Sequence, residues 1–127
     1  MASLVHPRLI GKRVLIVEDN YLIATHLEQI VRDAGGWPVG PVSNIDRALK
    51  LLRWGKVDVA LLDCWLSGGH AGPIAELLWF RRTPFVVVTG CDTFDLPPAL
   101  RDVQFVPKPF SGSDVVGGLA QAIGRQL

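Results

Sequence analysis

The stretch Val14-Leu15-Ile16-Val17-Glu18-Asp19 decides the fold. Its first four residues are apolar without interruption, which indicates a strand that is buried on both faces. Strands of this kind are typical of parallel sheets that helices cover on both sides. Two carboxylates follow the strand at once, so the sequence also predicts a charged site where the strand ends.

Four further strands repeat or vary this pattern. Val57–Leu62 is apolar apart from Asp58, Phe85–Val88 is a short apolar run, and Val103–Val106 is a short run that is apolar apart from Gln104. Trp37–Val42 contains two prolines. Because proline lacks the N–H group that an inner strand needs, this strand is predicted at the edge of the sheet.

Cap residues, glycines and the helical spacing of apolar residues predict the connecting helices. These helices begin at Asn20, at Ser43 or Asn44, at about Gly72 and at Ser111, and they end near Gly35-Gly36, Gly55, Arg81 and Gln126. Between Cys91 and Asp102, Pro97-Pro98 leaves room for only about one or two helical turns, so the fourth helix is predicted to be short. Five strands that alternate with helices indicate an α/β fold, a doubly wound five-stranded parallel sheet.

Length and composition indicate one domain. The chain has 127 residues, of which 49% are hydrophobic, and we divide it into a loose N-terminal arm, residues 1–11, and a globular domain, residues 12–127. No apolar run approaches the roughly 20 residues that span a bilayer, and the N-terminus lacks the apolar segment of a secretory signal. We therefore expect a cytoplasmic protein that does not bind membranes.

Charge and cysteine content exclude other classes. Thirteen basic and twelve acidic residues give a formal charge of +1, and the basic residues are spread along the chain, so we expect no nucleic-acid binding. Cys64 and Cys91 have no metal-ligand spacing and are expected to be reduced, half-buried thiols. Trp37, Trp54 and Trp79 are expected to be packing residues.

Three acidic residues are predicted to lie together. In an open parallel sheet, ligands bind outside the carboxyl ends of the strands, where Glu18, Asp19 and Asp63 are expected. Crowded carboxylates repel one another unless a cation lies between them. Mg²⁺ fits, because it prefers oxygen ligands and commonly bridges carboxylates to a phosphoryl group. A carboxylate can also act as a nucleophile and form an aspartyl phosphate, and Asp63 is predicted to do so.

Two further residues fit the same chemistry. Phosphoryl transfer spreads negative charge over three oxygens, so it needs positive charge and hydrogen-bond donors in place. Lys108 follows the fifth strand and Thr89 the fourth, and both fit that need. The Lys108-Pro109 bond is of the type that adopts cis most readily, although the sequence leaves the isomer open. Each residue alone could be an ordinary helix cap, strand-end hydroxyl or surface charge. Their joint occurrence at strand ends favours a phosphoryl-binding site.

The motifs that carry these residues are Glu18-Asp19, Leu61-Leu62-Asp63, Val88-Thr89-Gly90 and Lys108-Pro109-Phe110. In this order they resemble the receiver domain of bacterial two-component response regulators, from about Lys12 to the end of the chain. The resemblance implies a flavodoxin-like fold with strand order 2-1-3-4-5. It also implies that Asp63 accepts a phosphoryl group from a histidine kinase or a histidine phosphotransfer protein.

The resemblance also implies a ligand set and a switch. The Mg²⁺ ligands would be Asp19, Asp63, the backbone carbonyl of Trp65 and, through water, Glu18. Thr89 and Phe105 would change arrangement together on phosphorylation. From its spacing alone Phe105 is equally well explained as a core aromatic, so that alternative stays open.

Segments 84–90 and 96–101 look especially like stand-alone receivers of alphaproteobacteria with a shortened fourth helix. The loop after Asp63 departs from the family pattern, which usually has a proline, and Ser67–Gly69 is expected to be flexible. Because the Trp65 side chain is bulky, we predict that it shields an aspartyl phosphate from water and slows its hydrolysis. His70 lies near this loop without an assigned role.

The function that these observations favour is a phosphoacceptor switch that signals through a protein–protein contact. It would not be an enzyme, beyond assisting its own phosphoryl transfer and dephosphorylation. Two alternatives stay open, a phosphate sink and an interaction module that works without phosphorylation. The downstream target is not specified, and a homodimer is also left open.

Overall fold

The computed structural model describes residues 5–90, 96–100 and 103–125 of the chain. The elements follow in the order β1 (Arg13–Val17), α1 (Tyr21–Asp33), β2 (Trp37–Val42), α2 (Ile45–Trp54), β3 (Val59–Asp63), β4 (Trp65–Leu66), β5 (Gly69–His70), α3 (Gly72–Phe80), β6 (Phe85–Thr89), β7 (Gln104–Pro107) and α4 (Gly112–Gly124). No helix in these ranges is both long enough and apolar enough to cross a membrane.

The main sheet is parallel and has the order β2-β1-β3-β6-β7. Counting only its own five strands, this order is 2-1-3-4-5, the order that the resemblance to receiver domains implied. β2 lies at one edge, which confirms the position predicted from its two prolines. The remaining two strands, β4 and β5, form a separate antiparallel hairpin.

Two hydrophobic clusters fill the space on either side of the sheet. Val14 and Ile16 of β1 pack with residues of α1 and α4 on one side. Leu15 and Val17 pack with residues of α2 and α3 on the other. Successive side chains of a strand point to opposite faces, so a strand between two helical layers must be apolar throughout. The doubly wound architecture is thereby confirmed.

Polar caps start three helices close to the strand ends. The Asn20 side chain accepts hydrogen bonds from the N–H groups of Leu22 and Ile23 (3.0 and 3.2 Å). Asn44, one of the two caps predicted for α2, accepts from Arg47 N at 2.9 Å. Ser111 forms a capping box with Asp114 at the start of α4. Caps in these places let each helix begin directly beside the carboxyl edge of the sheet.

The connection between β6 and β7 contains little helix where it is described. Within Leu96–Leu100 the structure has one turn of 3-10 helix, Pro98–Leu100, which confirms a shortened fourth helix. The Leu96 and Leu100 side chains are buried in the cluster shared with α2 and α3. Cys91, which was expected to be half-buried, lies outside the described residues.

The described part of the N-terminal arm, residues 5–11, packs against the domain. His6 N donates to Ala34 O (3.2 Å) and Gly11 N to Gly35 O (2.9 Å), both just after α1. The Arg8 guanidinium donates to the carbonyl of Ala120 on α4 (2.9 Å). Leu9 is fully buried in the cluster between the sheet and α1 and α4.

Two sequence expectations about side-chain packing were wrong. Trp37 and Trp54 are largely exposed rather than packed, and Cys64 is fully buried rather than half-buried. Trp54 belongs to the last turn of α2, where Leu52 faces the core instead. Trp79 is about half exposed, and it packs edge-to-face on Phe85 with ring centroids 5.6 Å apart.

Candidate metal centre

The register of the sheet brings the predicted site residues to one edge. Val17 of β1 pairs with Leu62 of β3, so the residues that follow this pair, Glu18 and Asp63, are neighbours. Across β3 and β6, Asp63 pairs with Val88. Thr89 at the end of β6 then pairs with Pro107 of β7. Residues that lie up to 90 positions apart in the chain therefore meet at the carboxyl edge.

Three carboxylates converge at this edge. One ligand oxygen from each of Glu18, Asp19 and Asp63 lies within 4.8 Å of the other two. Glu18 is buried, Asp63 is half-buried and Asp19 is exposed, so the cluster opens to solvent through Asp19. A set of hard oxygen donors with one open side fits a divalent cation such as Mg²⁺ or Ca²⁺. This acidic cluster can bind a metal ion.

Lys108 lies between two of these carboxylates. Its Nζ donates to Glu18 Oε1 at 2.7 Å and lies 3.4 Å from Asp63 Oδ2. Its backbone N–H donates to the carbonyl of Thr89 (2.9 Å), and the bond to Pro109 is cis. The ammonium group is thus held at the acidic cluster by contacts from both its side chain and its backbone.

Burial and pairing shift the pKa values of Glu18 and Lys108. Burial raises the pKa of the Glu18 carboxyl, and a hydrogen bond with Asp63 adds to it, outweighing the opposite effect of Lys108. Burial alone would lower the pKa of Lys108, but the hydrogen bond to Glu18 and the charges of Asp63 and Glu18 raise it overall. Lys108 is therefore a fixed cation at neutral pH.

Glu18 is held by two donors. Its Oε1 accepts from Lys108, and its Oε2 accepts from Asn20 N at 3.2 Å. Asn20 is also the N-cap of α1, so the start of the helix fixes the carboxylate. The pairing of Glu18 with Lys108 was not foreseen from the sequence. A role for Glu18 through a metal-bound water stays a prediction.

Thr89 and Phe105 occupy different environments. Thr89 is buried and is the last residue of β6. It lies next to Asp63 because its neighbour Val88 pairs with Asp63, and next to Lys108 because its carbonyl accepts from Lys108 N. Phe105 of β7 lies opposite Val87 of β6, and its half-buried side chain packs against the cluster on the α2 and α3 side. Their joint movement stays a prediction.

The loop after Asp63 contains a short antiparallel hairpin, β4–β5, which the sequence analysis did not predict. Trp65 pairs with His70, and Leu66 pairs with Gly69. Ser67 forms an isolated bridge with Asn44. A two-residue turn that contains glycine between short segments is a recognised hairpin signal, and Ser67-Gly68 supplied it.

Comparisons with known proteins agree with this fold. SdrG from Sphingomonas melonis Fr1 is 35% identical, with 95% of this chain and 98% of that chain covered and a TM-score of 0.74. The response regulator PhyR from Brucella abortus is 30% identical over 94% of this chain and 50% of that chain, with a TM-score of 0.79.

A curated relative is similar at the same level. The transcriptional regulatory protein PdtaR of Mycobacterium tuberculosis is 31% identical over 120 residues, which is 91% of this chain and 58% of the relative. The chain thus spans somewhat over half the length of the curated relatives it matches. No family model matches the chain.

Proposed function

Since this chain belongs to the response regulator receiver family, we propose that it accepts a phosphoryl group on Asp63 in a Mg²⁺-dependent reaction and signals through a protein contact. The observation that carries this proposal is that three carboxylates converge within 4.8 Å of one another, and that the Lys108 ammonium group pairs with two of them, Glu18 and Asp63. Carboxylates this close repel one another unless cations neutralise them, and Lys108 together with a divalent metal ion would do so.

Asp63 is the nucleophile of the proposed reaction. Its carboxylate oxygen bonds to phosphorus while the bond from phosphorus to the donor nitrogen of a phosphohistidine breaks and the imidazole leaves. Asp19, Asp63 and the Trp65 carbonyl would hold Mg²⁺, with Glu18 acting through water. When bound, the metal neutralises charge on the phosphoryl oxygens.

Lys108 and Thr89 would bind the phosphoryl oxygens. The Lys108 ammonium already lies 3.4 Å from Asp63 Oδ2, so positive charge is in place before the reaction begins. Glu18 holds Lys108 from the other side. The buried Thr89 hydroxyl would donate to a second phosphoryl oxygen. Its movement, together with that of Phe105 on β7, would carry the change to the protein surface.

Exposed apolar side chains beside the site support a protein as phosphodonor. Tyr21 and Leu22 begin α1 one residue after the acidic pair and are both largely exposed. A groove next to Lys108 is lined by Ile23, His26 and Phe110. Apolar surface next to a reactive centre is typical of protein docking. We propose a histidine kinase or a histidine phosphotransfer protein as this donor.

Intact mass tests the proposal directly. The chain is incubated with phosphoramidate and Mg²⁺, and a gain of about 80 daltons, one phosphoryl group, is expected. Asp63→Asn should abolish the gain, and so should removal of Mg²⁺ with EDTA. The matched control is Asp58→Asn, because Asp58 lies before the other end of β3 and accepts from Arg13 N at 2.8 Å.

An equal gain in Asp63→Asn would disprove Asp63 as the acceptor. The absence of any gain in the wild type would favour an interaction module that works without phosphorylation. A phosphate sink would be favoured if the chain gains and then loses the phosphoryl mass while its binding to other proteins does not change.

A further inference from the structure

His70 is a histidine beside the site to which the proposed reaction assigns no task. It lies opposite Trp65 in the β4–β5 hairpin, so both side chains stand on the same face of that hairpin. The two rings meet edge-to-face, with centroids 6.1 Å apart and an interplanar angle of 84°. Within the described residues this is the one aromatic contact of the Trp65 ring.

The His70 ring is itself fixed by a hydrogen bond. Its Nδ1 accepts from the backbone N–H of Gly72 at 3.0 Å, and Gly72 is the first residue of α3. Because Nδ1 is an acceptor, the proton of the neutral ring is on Nε2. The start of a helix therefore sets the orientation of this imidazole.

Gly72 also makes room for the ring. A Cβ atom at this position would lie 2.7 Å from both Cε1 and Nδ1 of His70. Real Cβ atoms essentially never approach other atoms so closely, so any side chain at Gly72 would displace the imidazole. The position of the His70 ring thus depends on a glycine two residues later in the chain.

The backbone under Trp65 is braced on both sides. Ala71 N donates to Cys64 O at 2.8 Å, which closes the hairpin onto the end of β3. Ser67 bridges to Asn44, the N-cap of α2. The Trp65 residue nevertheless remains 43% exposed. Its backbone is therefore fixed, and the edge-to-face contact with His70 is an observed restraint on the direction of its indole.

We propose that the Trp65 indole, two residues after Asp63, covers the phosphorylated carboxylate, and that His70 is the positioning residue that holds it there and so prolongs the life of the phosphoryl group. This inference rests on the proposed function. In the hydrolysis that Trp65 opposes, a water oxygen bonds to phosphorus and the bond from phosphorus to the Asp63 oxygen breaks. Inorganic phosphate leaves, the carboxylate is restored, and the surplus proton passes to solvent. An indole held over the site reduces the access of that water.

The test measures the half-life of the phosphoryl group. The chain is phosphorylated with phosphoramidate and Mg²⁺, the donor is removed by desalting, and the loss of about 80 daltons is followed by intact mass. His70→Ala should shorten the half-life roughly three- to tenfold, the range expected for loss of one aromatic contact. Gly72→Ala should shorten it similarly, although it leaves the imidazole chemically intact.

Two variants provide matched controls. His6 makes the same local hydrogen bond as His70, since its Nδ1 accepts from Arg8 N at 3.1 Å, but it lies in the N-terminal arm. Gly117 lies in α4 with no atom within 4 Å of a Cβ. His6→Ala and Gly117→Ala should leave the half-life unchanged.

A double-variant comparison separates positioning from general loosening. Trp65→Asn alone should shorten the half-life. If His70 acts through Trp65, adding His70→Ala to Trp65→Asn should cause no further change. Additive effects would overturn the proposal, and so would a longer half-life in His70→Ala, which would mean that the imidazole assists the attacking water.

A readout without phosphate keeps this inference separate from the proposed function. In ¹H–¹⁵N spectra of the unphosphorylated protein, His70→Ala and Gly72→Ala should both shift the indole N–H resonance of Trp65, and His6→Ala should not. If the wild type gains no mass, the proposed function fails. An unmoved indole resonance would overturn the positioning role in either case, as would loss of phosphorylation in both variants while the wild type is phosphorylated.

Discussion

At the carboxyl edge of the sheet the Glu18 side chain is only 1% exposed and that of Lys108 20%, whereas at the opposite end Trp54 and Phe80 are 87% and 86% exposed. The first region buries charge and the second exposes large apolar rings. Burying charge costs several kcal/mol per ion unless the partner and the hydrogen bonds are well placed. A singly exposed aromatic costs the folded state little.

The difference shows that the exposed rings are compatible with a stable fold as they stand, whereas the buried charges need an explanation other than stability. The packing of the hydrophobic core does not require the Glu18 and Asp63 carboxylates that pair with Lys108. The acidic cluster is therefore better explained by the ion and the phosphoryl group that it is proposed to bind. Trp54 and Phe80, each at the end of a helix, need no such explanation when taken singly.

Apart from the core control given below, the largest effect on stability should come from breaking the buried pair. Lys108→Met would leave the Glu18 charge facing Asp63 without a cation, and we expect the free energy of unfolding to fall by about 3 kcal/mol. Urea denaturation at neutral pH with EDTA measures this change. The control is Lys50→Met, because Lys50 is an exposed residue of α2.

A second variant tests the cause of that loss. In Glu18→Gln/Lys108→Met both charges are absent, and most of the stability should return. The prediction fails if Lys108→Met costs no more than Lys50→Met, or if the double variant is as unstable as Lys108→Met.

A smaller effect should appear in the dependence of stability on pH. The pKa of Glu18 is raised in the folded state, chiefly by burial. The folded chain therefore holds this proton more tightly than the unfolded chain, and Glu18 contributes less stability as the pH rises through the interval between the two pKa values. The advantage of Glu18→Gln over the wild type should thus grow from about pH 4 upward. Denaturation of both proteins over a pH series with EDTA would reveal it, and a constant difference would contradict it.

The smallest effect is expected at the exposed aromatics. Trp54→Ala and Phe80→Ala should each change the free energy of unfolding by about 0.5 kcal/mol or less, because neither ring is packed in the core. Leu52→Ala is the positive control on the same helix, since Leu52 is buried and its truncation should cost about 2 to 5 kcal/mol. A comparable loss for Trp54→Ala would mean that its ring makes stabilising contacts.

The sheet and the location of the site could be predicted from the sequence. Runs such as Val14–Val17 have no polar interruption, and only a strand between two helical layers accommodates them. Once the strands are assigned, parallel topology places Asp63, Thr89 and Lys108 at one edge. These residues are predictable because Asp63 and Thr89 end their strands and Lys108 directly follows its strand.

Other features depend on side-chain directions, which the spacing of residues along the sequence does not predict. The pairing of Lys108 with Glu18 joins residues 90 positions apart and requires particular rotamers of both. The exposure of Trp54 depends on its angular position on α2, where composition alone suggested burial. The packing of Leu9 under the sheet was hidden because the arm has no periodic pattern.

The two outer strands, β2 and β7, bear on how copies of the protein can associate. Pro38 and Pro41 lie within β2, and Pro107 ends β7. At each of these positions the backbone has no hydrogen to offer a neighbouring molecule, so the rim of the sheet is a poor template for aggregation by strand addition. Self-association of folded copies by widening the five-stranded sheet is accordingly disfavoured at both of its edges.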